Sequence, residues 1–300
     1  MSGIFNIQQI INGIQLGSIY ALISIGYTLV YGIVRLVNFA HGDFYMLGAY
    51  AAYFMAMFEI SRNDSPHVLL ILLVSMMAGA LVAFLSNRIA YRPLRYKPRL
   101  SALITAIGVS MFLEYTSSAM PFIGPSFRAF PTVIVTKTYH IGTAVLTNYQ
   151  ILNVVIAVSL MAILAYIIRY TRVGMAMRAS SQDKDALRLM GVDLERIIDI
   201  TFIIGGSLAG AAGLLAGITY PRINPYMGIV PGLKAFIAAV LGGIGNVTGA
   251  MLGAFILGLA ETFGYAINSV IGEGIAYAIL IMVLVFLPQG LLGKKTGEKV

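Results

Sequence analysis

The chain is predicted to be an all-α integral membrane protein, a bundle of about eight transmembrane helices interrupted by discontinuous or re-entrant segments. Three observations carry this. Hydrophobic residues make up 59% of the 300 and charged residues only 11%, and the mean hydropathy is +0.87, a balance found in membrane proteins. Apolar runs close to the ~20 residues that span a bilayer as helix recur along the chain. Of its 32 Lys, Arg, Asp and Glu residues, 11 fall between 169 and 199, so the longest water-suited stretch is surrounded by sequence suited to lipid.

The elements follow in order. The first charge is Arg35, and with no basic n-region or cleavage site the opening run reads as a retained helix and not a signal peptide. Gln15 to Tyr31 is span one, with Gly13 and Gly17 one turn apart as a close-packing pair. Asn38, His41 and Asp43 then interrupt two apolar runs, as a short interfacial loop or as a break in a membrane helix. Span two is Phe44 to Phe58, SRNDSP a turn, and span three His67 to about Ser86. YRPLRYKPR has four basic residues and no acidic one. Span four, Leu100 to Ala119, contains Glu114. The Pro-rich segment 120–150 includes a β-like VIVTKTYHIG, and span five is Ile151 to Ile168.

Within 169–199, Ser180 and Ser181 are candidate caps of a helix of about ten residues. Asp183 and Asp185 suit its positive end, Arg188 its negative end, and Gly191 supplies the stop. Ala186, Leu187 and Met190 give it one small apolar face. So short a helix is marginal in water without a partner, so the face is expected to dock on something. Ile197 to Tyr220 is span six. Pro221, Pro225 and Pro231 then break any continuous helix. Lys234 to Phe263 is interrupted at GGIGN, Gly242 to Asn246, and Ile275 to Leu287 is the last span.

Three segments, 88–99, 169–196 and the tail with Lys294, Lys295 and Lys299, hold 14 of the 20 Lys and Arg residues. Placing them in the cytoplasm obeys the positive-inside rule. The amino terminus and the loop 120–150 then lie outside, the carboxyl terminus lies inside, and 221–265 must cross an even number of times or enter as a re-entrant pair. The net charge of +8 is accounted for by this orientation, without a nucleic-acid partner. An echo, MLGAY at Met46 to Tyr50 and MLGAF at Met251 to Phe255, suggests two related halves. Interrupted segments at matching positions of two halves point to a transport pathway.

The candidate pathway residues are Asn38, His41, Asp43, Asn224 and Asn246, polar groups at the three Gly- or Pro-marked breaks. Each also has a plain structural reading as a helix cap or loop anchor. Asp43, Glu114 and Glu261 are the carboxylates in or beside apolar runs, where a central charge costs on the order of 3 kcal/mol and calls for an interior position; near an interface the demand disappears. The absence of cysteine excludes thiolate metal sites, and no metal or cofactor set is evident. No phosphate-binding loop, GxSxG or catalytic triad spacing is present, so the chain is not expected to be an enzyme.

GYTLVYGIVRLVNFAHGDFYMLGAY, MAMRASSQDKDALRLMGVDLERIIDITFIIGG and NPYMGIVPGLKAFIAAVLGGIGNVTGAMLGA together resemble the LivH-type permeases of bacterial branched-chain amino acid ABC importers, from about Gly13 to Gly290. Asp43 departs from the Glu often found there, keeping the charge with a shorter reach. The resemblance implies a permease in the bacterial cytoplasmic membrane, paired with a second, different permease, two cytoplasmic ATPases and a periplasmic solute-binding protein. It further implies that 169–199 holds the ATPase-coupling helix. Ala186, Leu187 and Met190 would then seat on the ATPase, with Arg178, Asp183 and Arg188 at the rim and Gly191 ending the helix. Related systems carry urea, short amides or other amino acids. An ion-coupled carrier is the rival class, with Asp43, Glu114 and Glu261 as its relays, and amide substitutions would separate the two.

Overall fold

A computed structural model describes residues 7–62, 65–95, 97–142 and 144–293; the tail lysines 294, 295 and 299 lie outside the described residues. Eleven α-helices are described: α1 (Ile7–Val34), α2 (His41–Ser61), α3 (Val68–Ser86), α4 (Arg99–Ala119), α5 (Asn148–Tyr170), α6 (Arg172–Gln182), α7 (Lys184–Leu189), α8 (Leu194–Thr219), α9 (Ile229–Gly242), α10 (Val247–Ile267) and α11 (Ser269–Phe286). Seven of them are long and apolar enough to cross a membrane, and α2 and the short α9 complete the bundle. The expected all-α membrane bundle is observed.

Burial sorts the helices. Most of α1 and α8 is buried, whereas α4, α5 and α11 turn most of their surface outward. The reason is visible in composition: α1 and α8 carry the small residues that let backbones approach, and the outward helices carry Leu, Ile, Val and Phe suited to lipid or a partner.

Two related halves are present, in a different register from the one the echo suggests. Gly206 and Gly210 seat α8 against Gly79 and Ser75 of α3, while Gly13 and Gly17 seat α1 against Leu259 and Phe255 of α10. α1 and α8 meet at Gly26 and Gly205, where a Cβ on Gly205 would stand 3.4 Å from Gly26 Cα. The starts of α2 and α9 meet at Gly42 and Gly228. These packings exchange if α1, α2 and α3 are swapped with α8, α9 and α10. MLGAY lies on α2 and MLGAF on α10, which are not counterparts, so the echo is a coincidence of small-residue membrane vocabulary.

The two ends of the bundle differ in chemistry. At one end, strand β1 (Arg128–Ala129) pairs antiparallel with β4 (Arg222–Ile223), and β2 (Thr138–Ile141) forms a hairpin with β3 (Ala144–Thr147). Of the β-like segment 133–142, residues Thr138–Ile141 form β2, and its partner β3 lies beyond the segment. At the other, basic end, α3 runs on through a π-helical turn, Asn87–Tyr91, and a 3-10 turn, Arg92–Leu94. There Asn87 donates to Asp199 at 2.7 Å and Arg88 pairs with Asp199 at 3.0 Å. Arg92 pairs with Glu195 at 3.0 Å, and Arg95 reaches the same carboxylate.

Several expectations need correction. Spans one, two and five extend beyond the predicted bounds at both ends, and span six and the last begin earlier than predicted, because polar residues such as Gln8, Asn148 and Glu195 are accommodated in the end turns; span three keeps its bounds to within a residue. Pro231 does not break a helix; it lies in the first turn of α9, where the missing N–H has no intrahelical partner to lose. The Asn38–Asp43 interruption is a true break. α1 ends with Arg35 at φ +60°, and α2 starts again beside Gly26, about two turns inside the end of α1. GGIGN separates two helices, as one of the two readings required, with Gly243 and Gly245 at φ +100° and +95°.

Candidate functional site

Two helix starts converge inside the bundle. The chain enters α2 from the basic end and α9 from the hairpin end, and a Cβ on either Gly42 or Gly228 would collide with the other's carbonyl oxygen. Glycine is required here by the close approach itself. Beside this contact lies a cavity of about 220 Å3, lined by Tyr27 of α1, Asp43 of α2, Ser110, Met111 and Glu114 of α4, and Gly232 and Leu233 of α9, among others. Its walls are mostly apolar, and its polar groups are concentrated on one side.

That polar side is acidic. Asp43, Ser110 and Glu114 are close enough to interact electrostatically, and Oδ2 of Asp43 is buried without a hydrogen bond among the described residues. Asp43 occupies the first turn of α2, where a carboxylate complements the positive end of the dipole. Neither Lys nor Arg of the described residues lines the cavity.

Of the five predicted pathway residues, only Asp43 lines the cavity. His41 is buried one residue pair before it, its ring against Gly26 and 4.8 Å from the ring of Tyr27. Asn38 is buried nearer the basic end and accepts from Tyr91 Oη at 2.6 Å. Asn224 makes a turn at the hairpin end, accepting the Tyr226 N–H at 2.7 Å. Asn246 caps α10 by accepting from Gly249 N and donates to Leu292 O at 2.8 Å. For Asn224 and Asn246 the structure thus supplies the plain structural role.

The other two carboxylates also find definite places. Glu114 joins Asp43 at the cavity. Glu261 is buried in the bundle: its Oε1 lies 2.5 Å from Lys234 Nζ, both side chains almost fully buried, and Tyr20 Oη donates to Oε2 at 3.1 Å. Lys234 was read only as the start of an apolar run. A lone basic residue on α9 and a lone acidic one on α10 were the available signal, since a charge in an apolar run calls for a partner.

The charged stretch is two helices rather than one of about ten residues. Ser180 and Ser181 lie in the last turn of α6, their hydroxyls donating to Met177 O and Arg178 O, and so do not cap a helix N-terminus. Asp183 is the cap of α7, accepting from Asp185 N at 2.9 Å and Ala186 N at 3.0 Å. Arg188 pairs with Asp185 at 3.7 Å. Arg178 donates to Ile168 O and Arg169 O, holding the end of α5. Gly191, at φ +76°, ends α7 as expected.

The apolar face of α7 also needs correction. Leu187 is buried in the chain's own core, while Ala186, Leu189 and Met190 face outward, Leu189 at 90% and Met190 at 68% exposure. Residues 186, 187 and 190 and residues 186, 189 and 190 fit helical spacing equally well, so periodicity cannot choose between them. Burial and then the positive charges of Arg35, Arg95 and Arg188 hold the Lys184 amine below its usual range, which marks the surroundings of α7 as electropositive.

A family model described as the permease component of branched-chain amino acid transport systems matches residues 9–287. The high-affinity branched-chain amino acid transport system permease protein LivH of Salmonella typhimurium is 39% identical, over 99% of this chain and 98% of that protein. The permease protein BraD of Pseudomonas aeruginosa is 41% identical over 98% of each. The ribose import permease protein RbsC of Haemophilus influenzae is 26% identical over 97% of this chain and 88% of its own length.

Proposed function

The chain belongs to the family of branched-chain amino acid transport permease components, and from that membership we propose that it forms one side of an ATP-driven import pathway for apolar amino acids. The observation that carries the coupling is the tip of α7. Leu189 and Met190 stand exposed on a capped helix inside the most charged segment of a membrane protein. Exposed apolar side chains in such a place suit a groove on a soluble partner, here a cytoplasmic ATPase, with Arg178, Asp183 and Arg188 around the seat.

The partners are a second, different permease, two ATPases and an extracytoplasmic solute-binding protein. The positive-inside rule favours a cytoplasmic basic end, with coupling loop 169–199 inside and loop 120–150 outside. The chain itself supplies the membrane path, and hydrolysis takes place in the ATPases. ATPase closure would pull on α6 and α7, and through Glu195 and Asp199 on α8 and the end of α3. The cavity between α2 and α9 lies on the path.

The test is co-purification of ATPase subunits from detergent-solubilised membranes, with the native chain and with Leu189→Asp plus Met190→Asp. Loss of the ATPases from a double variant that still inserts normally is the expected result. If ATPases remain bound to it, α7 is not the coupling element; if none accompanies the native chain, ion-coupled transport takes the place of this reading.

A further inference from the structure

Resting on the importer reading, we propose that the cavity at the meeting of α2 and α9 is a transient binding site for a free apolar α-amino acid in its zwitterionic form. The ammonium group would sit on Asp43 and Glu114, the carboxylate on the Gly228 N–H at the start of α9, and the hydrocarbon side chain against Met111 and Leu233.

The ammonium end meets a buried oxygen that lacks a partner of its own. Oδ2 of Asp43 is buried, lines the cavity and accepts no hydrogen bond among the described residues. A buried carboxylate oxygen in that state calls for a donor, and with a second carboxylate beside it, Glu114, the donors that suit the pair are a shared proton or a cation. Among the described residues no Lys or Arg lines the cavity, and the buried Lys234 is held by Glu261 at 2.5 Å. A solute ammonium group, with three donors and one positive charge, would satisfy both carboxylates and Ser110.

The carboxylate has a different partner. The start of α9 forms the opposite wall through Gly228, Ile229 and Gly232; there Ile229 N donates to Tyr226 O and Gly232 N to Gly228 O, while the Gly228 N–H, just before the first turn, has no backbone acceptor among the described residues. The start of α2 faces the same space but already carries Asp43 in its first turn. The two helix starts therefore differ, one carrying an acid in its first turn and one carrying none, which gives a zwitterion a single orientation. The remaining lining is apolar, and a cavity of about 220 Å3 has room for one small solute.

The chain has no cysteine, so an introduced one is the single thiol of this subunit, and its labelling is read on this subunit after separation from its partners. Ile107, at the cavity wall, is replaced in the assembled transporter by Ile107→Cys. Its modification is timed with 2-aminoethyl methanethiosulfonate, a cation, and 2-sulfonatoethyl methanethiosulfonate, an anion. The cation should react faster by on the order of tenfold, as expected for carboxylates a few ångströms away in a partly screened cavity. Leucine should slow both reactions, and its 2-hydroxy analogue, which lacks the ammonium group, should not. Asp43→Asn should abolish the charge preference and the leucine protection, and Asp43→Glu should retain both.

Equal rates with the two reagents, protection by the 2-hydroxy acid as good as by leucine, or a cysteine that reacts with neither reagent would each overturn the proposal. ATP-driven leucine uptake by the unsubstituted assembly is measured alongside. Uptake without these effects removes the site and leaves the importer reading standing, whereas absent uptake counts against that reading itself.

Discussion

Tyr91 Oη donates to Asn38 Oδ1 at 2.6 Å, both residues buried. The bond joins the π-helical end of α3 to the break that precedes α2. The same turn holds Asn87 and Arg88, which bind Asp199, and the next residues include Arg92 and Arg95, which bind Glu195. The first turns of α8, which leave the charged loop directly, are thus tied through one short segment to the start of α2 and its Asp43.

Tyr91→Phe removes the hydroxyl and leaves Asn38 buried without a partner for Oδ1. An unsatisfied buried acceptor costs about 1–3 kcal/mol. The variant should insert normally, lose thermal stability in detergent by that amount, and transport more slowly at an unchanged level of bound ATPase. Thermal unfolding followed by size-exclusion recovery measures the first effect, and vesicle uptake the second. Wild-type stability in Tyr91→Phe would mean that the bond contributes nothing.

Glu261→Gln should be more damaging than its isosteric change suggests. Lys234 would be left buried in the bundle with no carboxylate partner, and breaking a buried pair at one partner costs about 3–5 kcal/mol. Replacing both, Lys234→Met with Glu261→Leu, should recover most of that loss, since apolar pairs of similar volume commonly equal or exceed buried ion pairs. The readout is the unfolding midpoint of the three variants against the native chain. A double variant as unstable as Glu261→Gln would show that the charges themselves are needed, for example to hold Tyr20.

Leu187 and Leu189, two residues apart on α7, should behave in opposite ways. Leu187→Ala empties a fully buried position and should cost about 2–5 kcal/mol. Leu189→Ala, at 90% exposure, should leave the isolated chain's stability within about 0.5 kcal/mol and weaken ATPase binding. Thermal unfolding and co-purification on the same samples separate the two effects. Equal destabilisation by both would mean that Leu189 is also packed in the protein as isolated.

The sequence made the bundle, its breaks and its basic end legible because each leaves a local mark: apolar runs, Gly and Pro clusters, and unbalanced Lys and Arg. The pairing of Lys234 with Glu261 left only two isolated charges 27 residues apart, and nothing local says that they meet. The relation between the halves was hidden for a similar reason. Gly26 with Gly205 and Gly42 with Gly228 are selected for close approach, which requires only an absent side chain, so the flanking letters do not repeat. The face of α7 failed at a finer scale, since Leu187 and Leu189 are chemically identical and the fold alone decides which one is buried. Asp43 was legible as a polar interruption, but its neighbours Ser110 and Glu114 come from α4 and were joined to it only by tertiary packing.

The contact between Gly42 and Gly228 makes the sharpest demand on the cavity. Gly228→Ala puts a methyl group into the carbonyl oxygen of Gly42, closer than real side chains approach backbone, and neither atom belongs to a flexible side chain that could swing away. The starts of α2 and α9 must separate, at a cost typical of overpacking, about 1–3 kcal/mol. If that cost falls on the transporting state, uptake should drop by on the order of tenfold or more, while membrane insertion and ATPase binding persist because α7 is remote from the change. Gly274→Ala on α11 is the control, as a Cβ there has nothing within 4 Å and should leave uptake unchanged. Normal uptake by Gly228→Ala, with the protein present at native levels, would show that the two helix starts can part freely and that their close contact does not shape the path.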